Sequence, residues 1–172
     1  GLREVNLFQL LTHTSGLLSA IPAVPLEVLT NVTRLTDWVA TQRPESLPGE
    51  RVNYSIIVAH SVMAEMLRRV DGGQRSFGQM IREDLFEPLG MHDTCFEIPA
   101  DKVDRFASCY TRNMEKGMDL TDDARSSEFA ERTFYSGGGG LLSTVGDYYR
   151  FCQMLLGGGT RDGVRIIGPR TL

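Results

Sequence analysis

The sequence is poor in lysine: Lys102 and Lys116 are the only two in 172 residues. The basic side is otherwise arginine, so few amines are available as bases or covalent nucleophiles. Cysteine is also scarce. Cys95, Cys109 and Cys152 are an odd number, and no Cys-x-x-Cys or Cys/His spacing of a metal site accompanies them. They suit buried thiols or a reducing compartment, a usage compatible with the cytoplasm, and leave the compartment open. No apolar run approaches the ~20 residues of a membrane span, and no signal peptide opens the chain. The first residue is Gly1 rather than Met, as expected of a processed product or a piece of a longer chain. Lys plus Arg total 18 against 22 for Asp plus Glu, and the net charge of −4 argues against a nucleic-acid surface.

Complete catalytic motifs are missing as well. A serine hydrolase needs a nucleophile, a base to take its proton and donors for the oxyanion. No serine is followed three residues later by lysine. No Gly-x-Ser-x-Gly elbow exists either, because Ser136 has Phe134 at the first glycine position. There is no His-Glu-x-x-His, and no carboxylate pair stands out for glycosidase work. His13, His60 and His92 are scattered without matching Cys or carboxylate spacing, so no metal site is expected. His13 and Ser15 lie at a helix end, where their side chains are expected to hold backbone groups of the turn.

What remains is an ordinary globular composition, 41% hydrophobic and 23% charged, in one domain's length of chain. Asn6 and Gln9 have capping-box spacing for a helix carrying Leu7, Leu10 and Leu11, which ends by Gly16. Val28, Val32, Leu35, Trp38 and Val39 mark a second helix running to about Gln42, before Pro44.

Pro48-Gly49 then turns the chain into a short extended run that hands over at Tyr54 and Ser55 to a third helix. Ser55 is its expected N-cap, and Ile56, Ala59, Met63, Met66, Leu67 and Val70 its apolar stripe. Ser76 caps a fourth helix through Phe77, Met80, Ile81 and Leu85, ending at Gly90. Phe106 to Tyr110 reads as a strand and Arg112 to Arg132 as a polar loop. After four glycines, Thr144 and Asp147 begin a fifth helix striped with Val145, Tyr148, Tyr149, Cys152, Leu155 and Leu156. Asp162-Gly163 turns into a short strand. The sum is a mainly α chain of five helices and three short strands.

Four segments together resemble one family. They are Leu10-Leu-Thr-His-Thr-Ser-Gly-Leu17, Pro48-Gly-Glu-Arg-Val-Asn-Tyr-Ser55, Phe86-Glu-Pro-Leu-Gly-Met-His-Asp-Thr94 and Gly137-Gly-Gly-Gly-Leu-Leu-Ser-Thr-Val-Gly-Asp147. In order and rough spacing they are similar to the middle of the class C β-lactamase-like serine hydrolases, which include penicillin-binding carboxypeptidases and family VIII carboxylesterases. The resemblance implies the central part of an α/β β-lactamase/transpeptidase-like fold, with residues 1–172 a single partial domain. It also implies a Ser-x-x-Lys nucleophile motif upstream and a Lys/His-x-Gly strand downstream, neither of which this chain contains.

Of the family's motifs only Tyr-x-Asn maps here. Tyr54 matches the tyrosine that helps move the nucleophile's proton, which makes it the catalytic candidate. Ser55 holds the middle position, a substrate-binding candidate, and Ile56 replaces the asparagine. Tyr-Ser followed by an aliphatic residue looks more like the carboxylesterase branch. Gly138 and Gly139 are candidates for lining the site, although glycine's backbone role makes a structural duty the simpler one.

The resemblance further implies acyl-enzyme hydrolysis of a small-molecule ester or amide, with β-lactams and D-amino-acid peptides as the other substrate classes and no cofactor. A phenolate base needs nearby ammonium groups, and the lysines that supply them belong to the other two motifs. The chain alone is therefore expected to be inactive. A non-catalytic binding module on the same scaffold and one half of a split enzyme are the alternatives, with self-association or a complementing chain as the expected partnership.

Overall fold

The structure, a computed structural model, describes residues 4–20, 22–115, 117–123 and 135–172. Helix α1 spans Leu7–Leu11 and opens on the expected capping box: Asn6 accepts from the Gln9 amide, and the Gln9 side chain accepts from the Asn6 amide. Only Leu10 is buried; Leu7 and Leu11 face outward. The left-handed residue just past the helix is His13 (φ 54°), not Gly16. Gly16 is left-handed too, but one turn later, where a Cβ would fall 2.2 Å from the Ser46 carbonyl oxygen. Close approach of residues 45–49 fixes glycine there.

The single helix expected from Val28 onward is two, α2 (Leu26–Leu29) and α3 (Val32–Val39). Asn31 breaks it by accepting from the Arg34 amide, an N-cap that starts a new helix. Helix α4, Val58–Val70, packs on α3, and Leu10, Leu17, Leu35, Val39, Val58 and Ala59 form the core beneath the α1 turn. Trp38 packs against that core. The stripe expected on α4 is largely misplaced. Its buried face is Val58, Ala59, Ser61, Ala64 and Glu65, whereas Ile56, Met66, Leu67 and Val70 are exposed.

Helix α5, Phe77–Ile81, has the Ser76/Gln79 capping box. It continues through a widened π turn, Arg82–Phe86, into α6, Glu87–Leu89, with Gly90 left-handed at its end. Pro88 has no amide hydrogen, and its ring excludes the carbonyl four residues back; the widened turn accommodates both. A 3₁₀ turn, Ala100–Arg105, follows.

The strand placed at Phe106–Tyr110 begins later, as β1 (Cys109–Asn113). It pairs antiparallel with β2 (Gly117–Asp122), setting Tyr110 opposite Leu120 and Arg112 opposite Met118. That hairpin replaces the first half of the expected polar loop. Alternation of Met118 and Leu120 with polar residues is a period-2 pattern, too short to register against the charge around it. The remainder, 124–134, lies outside the described residues.

Helix α7, Val145–Leu156, is capped by Thr144, which accepts from the Asp147 amide. Met154 packs with Phe86, Leu89 and Met91, while Val145 (89% exposed), Tyr148, Tyr149 and Leu156 face outward, again against the expected stripe. Strands β3 (Thr160–Arg161) and β4 (Val164–Arg165) close on a two-residue turn in which Asp162 and Gly163 both have positive φ. Among the described residues no helix is long and apolar enough to cross a membrane.

Candidate functional site around Tyr54

The segment before α4 is laced onto the turn after α1. Glu45 N–H donates to the Gly16 carbonyl (2.8 Å), Gly49 N–H to Thr14 (2.7 Å) and Asn53 N–H to His13 (2.8 Å). The Glu45 carboxylate accepts from the Ser19 amide and hydroxyl and from the Asn53 side chain. A surface loop with this many cross-bonds is a framework rather than a free connection.

Ser55 is 1% exposed. Its hydroxyl donates to the Leu18 carbonyl (2.7 Å) and accepts from the Ala59 amide (3.1 Å). It thus serves a first-turn amide of α4, as an N-cap would, although the helix itself starts three residues later. Ser15, also buried, accepts from the Leu17 amide, the turn-holding duty expected of it. Tyr54 does the reverse of its neighbour: it is 62% exposed at the end of the extended run.

One histidine lies against this tyrosine, and a second lies against the first. The His13 and Tyr54 ring centroids are 4.5 Å apart, and those of His13 and His60 are 5.4 Å apart. His13 Nδ1 accepts from the Ser55 amide at 3.4 Å, so this side chain holds a remote segment rather than its own turn. The grouping was invisible in the sequence because 47 residues separate the imidazoles. The packing of α1 on α4, with the 45–53 segment folded over the α1 turn, brings them together.

The glycine run reaches the same place. A Cβ at Gly137 would fall 2.2 Å from the His60 carbonyl oxygen, and one at Gly138 would fall 2.9 Å from the Ile56 carbonyl oxygen. Gly139 faces open space. Ser136 links the run to α4 through its contact with the Ser61 hydroxyl at 3.4 Å, and it accepts from the Gly138 amide. Gly137 and Gly138 therefore permit backbone contact with the first turns of α4, beside Tyr54.

The described lysine is committed elsewhere. Lys102 Nζ donates to Asp93 Oδ1 (2.6 Å) and to the His92 carbonyl (3.1 Å), and Arg105 forks onto the same carboxylate. Arg105, then Lys102, hold the Asp93 carboxyl well below the usual carboxylate range. This pair borders a cavity of about 310 Å³ with Cys95, Phe106 and Leu142, which shares no residue with the Tyr54 loop. Burial there pushes the Cys95 thiol above its ordinary value. Among the described residues no group of three or more His, Cys, Asp or Glu side chains could hold a metal ion.

A family model described as Beta-lactamase matches residues 1–166. Protein Rv1367c of Mycobacterium tuberculosis is 35% identical over 183 residues, covering 99% of this chain and 43% of its own length. The D-alanyl-D-alanine-carboxypeptidase/endopeptidase AmpH of Escherichia coli is 28% identical over 156 residues, 88% of this chain and 36% of that protein. The chain thus spans less than half the length of either relative. The crystal structure of a family VIII carboxylesterase superposes with a TM-score of 0.80 at 25% identity, covering 98% of this chain and 47% of that one. The architecture is the mainly helical central part of a β-lactamase/transpeptidase-like fold with a few short strands. The match over nearly its whole length identifies this chain as a member of the beta-lactamase family.

Proposed function

We propose that residues 1–172 are one partial domain of a serine hydrolase working through an acyl-enzyme, and that this part supplies the proton-handling tyrosine. The observation that carries the reading is Tyr54. Its phenol is exposed at the mouth of a cross-bonded loop, while Ser55 and Val58 on its C-terminal side are buried. A phenol presented on a rigid support is what proton transfer to or from a nucleophile requires.

Ser55 then acts beneath the site, through the bonds that fix the loop, and Gly138 and Gly139 shape its floor. Ile56 stands where the family's tyrosine motif has an asparagine, so no amide is available there to hold a substrate's amide carbonyl. Esters are accordingly the leading substrate class, ahead of β-lactams and D-amino-acid peptides, and similarity to a family VIII carboxylesterase supports that order.

The chain by itself does not turn over. None of its serines carries the lysine three residues on, and the Lys102 ammonium is bound to Asp93. Intact-mass measurement after incubation with a fluorophosphonate tests this. No added mass, with a helical circular dichroism spectrum, is the expected result; one stoichiometric adduct on a serine overturns it.

A second reading, completion by another chain or self-association, is favoured by the outward Met66, Leu67 and Val70 of α4 and Val145, Tyr148 and Leu156 of α7. Sedimentation of the purified chain distinguishes the two: a monomer at micromolar concentration removes self-association, and a co-purifying second chain establishes completion.

A further inference from the structure

His13 touches three consecutive residues, and Tyr54 is the middle one. Its carbonyl accepts from the Asn53 amide at 2.8 Å, its Nδ1 accepts from the Ser55 amide at 3.4 Å, and its ring lies against the Tyr54 ring at 4.5 Å. We infer that His13 is a positioning residue for Tyr54, with its imidazole nitrogen fixing the backbone step after the tyrosine and its ring fixing the phenol's rotamer.

Three features make this more than a crowded turn. His13 holds a left-handed backbone (φ 54°), one that L-residues adopt uncommonly, with Asn, Asp and His the tolerated types. As an acceptor Nδ1 carries no proton, so the imidazole proton must sit on Nε2, and a single tautomer is selected. Behind His13 stands His60, with ring centroids 5.4 Å apart, as a buttress. His60 Nδ1 is buried and finds no hydrogen-bond partner among the described residues, and a Cβ at Gly138 would fall 3.1 Å from its Cγ. The order of contact is therefore glycine run, His60, His13, Tyr54.

The inference rests on the reading of Tyr54 as the proton-handling group. The fluorophosphonate mass tests that reading alone, and the measurements here test the positioning alone. Two variants of the 172-residue chain separate the two contacts. His13→Phe keeps a ring against Tyr54 and removes the acceptor. His13→Asn keeps an acceptor and tolerates the left-handed backbone but removes the ring.

Nuclear magnetic resonance of labelled chain reads the Tyr54 side-chain rotamer from its couplings, amide exchange at Ser55 and the His13 tautomer. The expected wild-type result is one Tyr54 rotamer and an Nε2-protonated His13. In His13→Phe the rotamer is kept and Ser55 exchange rises at least about tenfold. In His13→Asn exchange stays within about threefold of wild type and the rotamer averages. Both readouts moving together in each variant, as loss of a merely structural turn would produce, overturns the inference. So does a wild-type Tyr54 that already averages, or an Nδ1-protonated His13. The wild-type spectrum alone decides if neither variant folds.

Discussion

Helices α4 and α7 are built alike and used differently. Each presents a buried carboxylate to the interior and leaves several large apolar residues outside. In α4 the carboxylate is Glu65, 1% exposed, gripped by Arg68 and Arg69 of its own helix and by the Thr33 hydroxyl of α3. In α7 it is Asp147, which accepts from the Asp93 amide (2.7 Å) and the Thr94 hydroxyl (3.0 Å), a loop 53–54 residues earlier, and from Arg150. Glu65 is neutralised by two charges of its own helix and reaches the neighbouring helix through the Thr33 hydroxyl. Asp147 uses neutral donors to clamp a loop, with one arginine completing its shell. A buried ion network is intolerant of losing one member, because the rest are stranded; a carboxylate satisfied mainly by neutral donors loses only its own bonds.

The sharpest test of that difference is Glu65→Ala, which removes the shared acceptor of Arg68, Arg69 and Thr33. A loss of about 4 kcal/mol is expected in urea unfolding. The hydrogen bond from Arg68 leads in holding the Glu65 carboxyl at about 2, below its ordinary 4.5, against the opposing effect of burial. A depressed carboxyl stabilises fully above its unfolded value. The advantage of wild type over Glu65→Gln should therefore be constant above about pH 4.5 and shrink as pH falls towards about 2. An advantage that persists unchanged at pH 2 breaks the assignment.

Next in size is the seam where the glycine run leading to α7 meets α4. Gly137→Ala forces a methyl onto the His60 carbonyl and should cost about 3 kcal/mol. Gly139→Ala, which meets nothing, should stay within about 0.5 kcal/mol by thermal unfolding. Equal effects at the two positions would mean the run does not contact α4 as described. A smaller loss than at Gly137 is expected from Asp147→Asn, about 2 kcal/mol, since one oxygen can still accept while the new amide group finds donors already in place. A loss as large as that of Glu65→Ala would erase the contrast between the helices.

The parts of the fold legible in the sequence are those set by near neighbours. The Asn6/Gln9 box, the Ser76 and Thr144 caps, the end at Gly90 and the Asp162-Gly163 turn all lie within four residues of the groups they satisfy. The faces of the long helices were not legible. Spacing located the apolar residues of α4 and α7 but not which side meets the core, because Glu65 and Asp147 read as surface charge until their distant partners are known. The site divides the same way. The family motif singled out Tyr54 and Ser55 alike, and only the structure shows that the first is exposed and the second buried.

By itself, then, the sequence determined the caps, the turns and the family, since each depends on local hydrogen bonding or on short ordered motifs. Tertiary structure alone decided that His13 and His60 back that tyrosine, that Gly137 and Gly138 rather than Gly139 touch α4, and that two carboxylates point inward. Those outcomes turn on contacts across tens of residues, which exist only once the chain has closed on itself and burial has chosen which polar groups find partners.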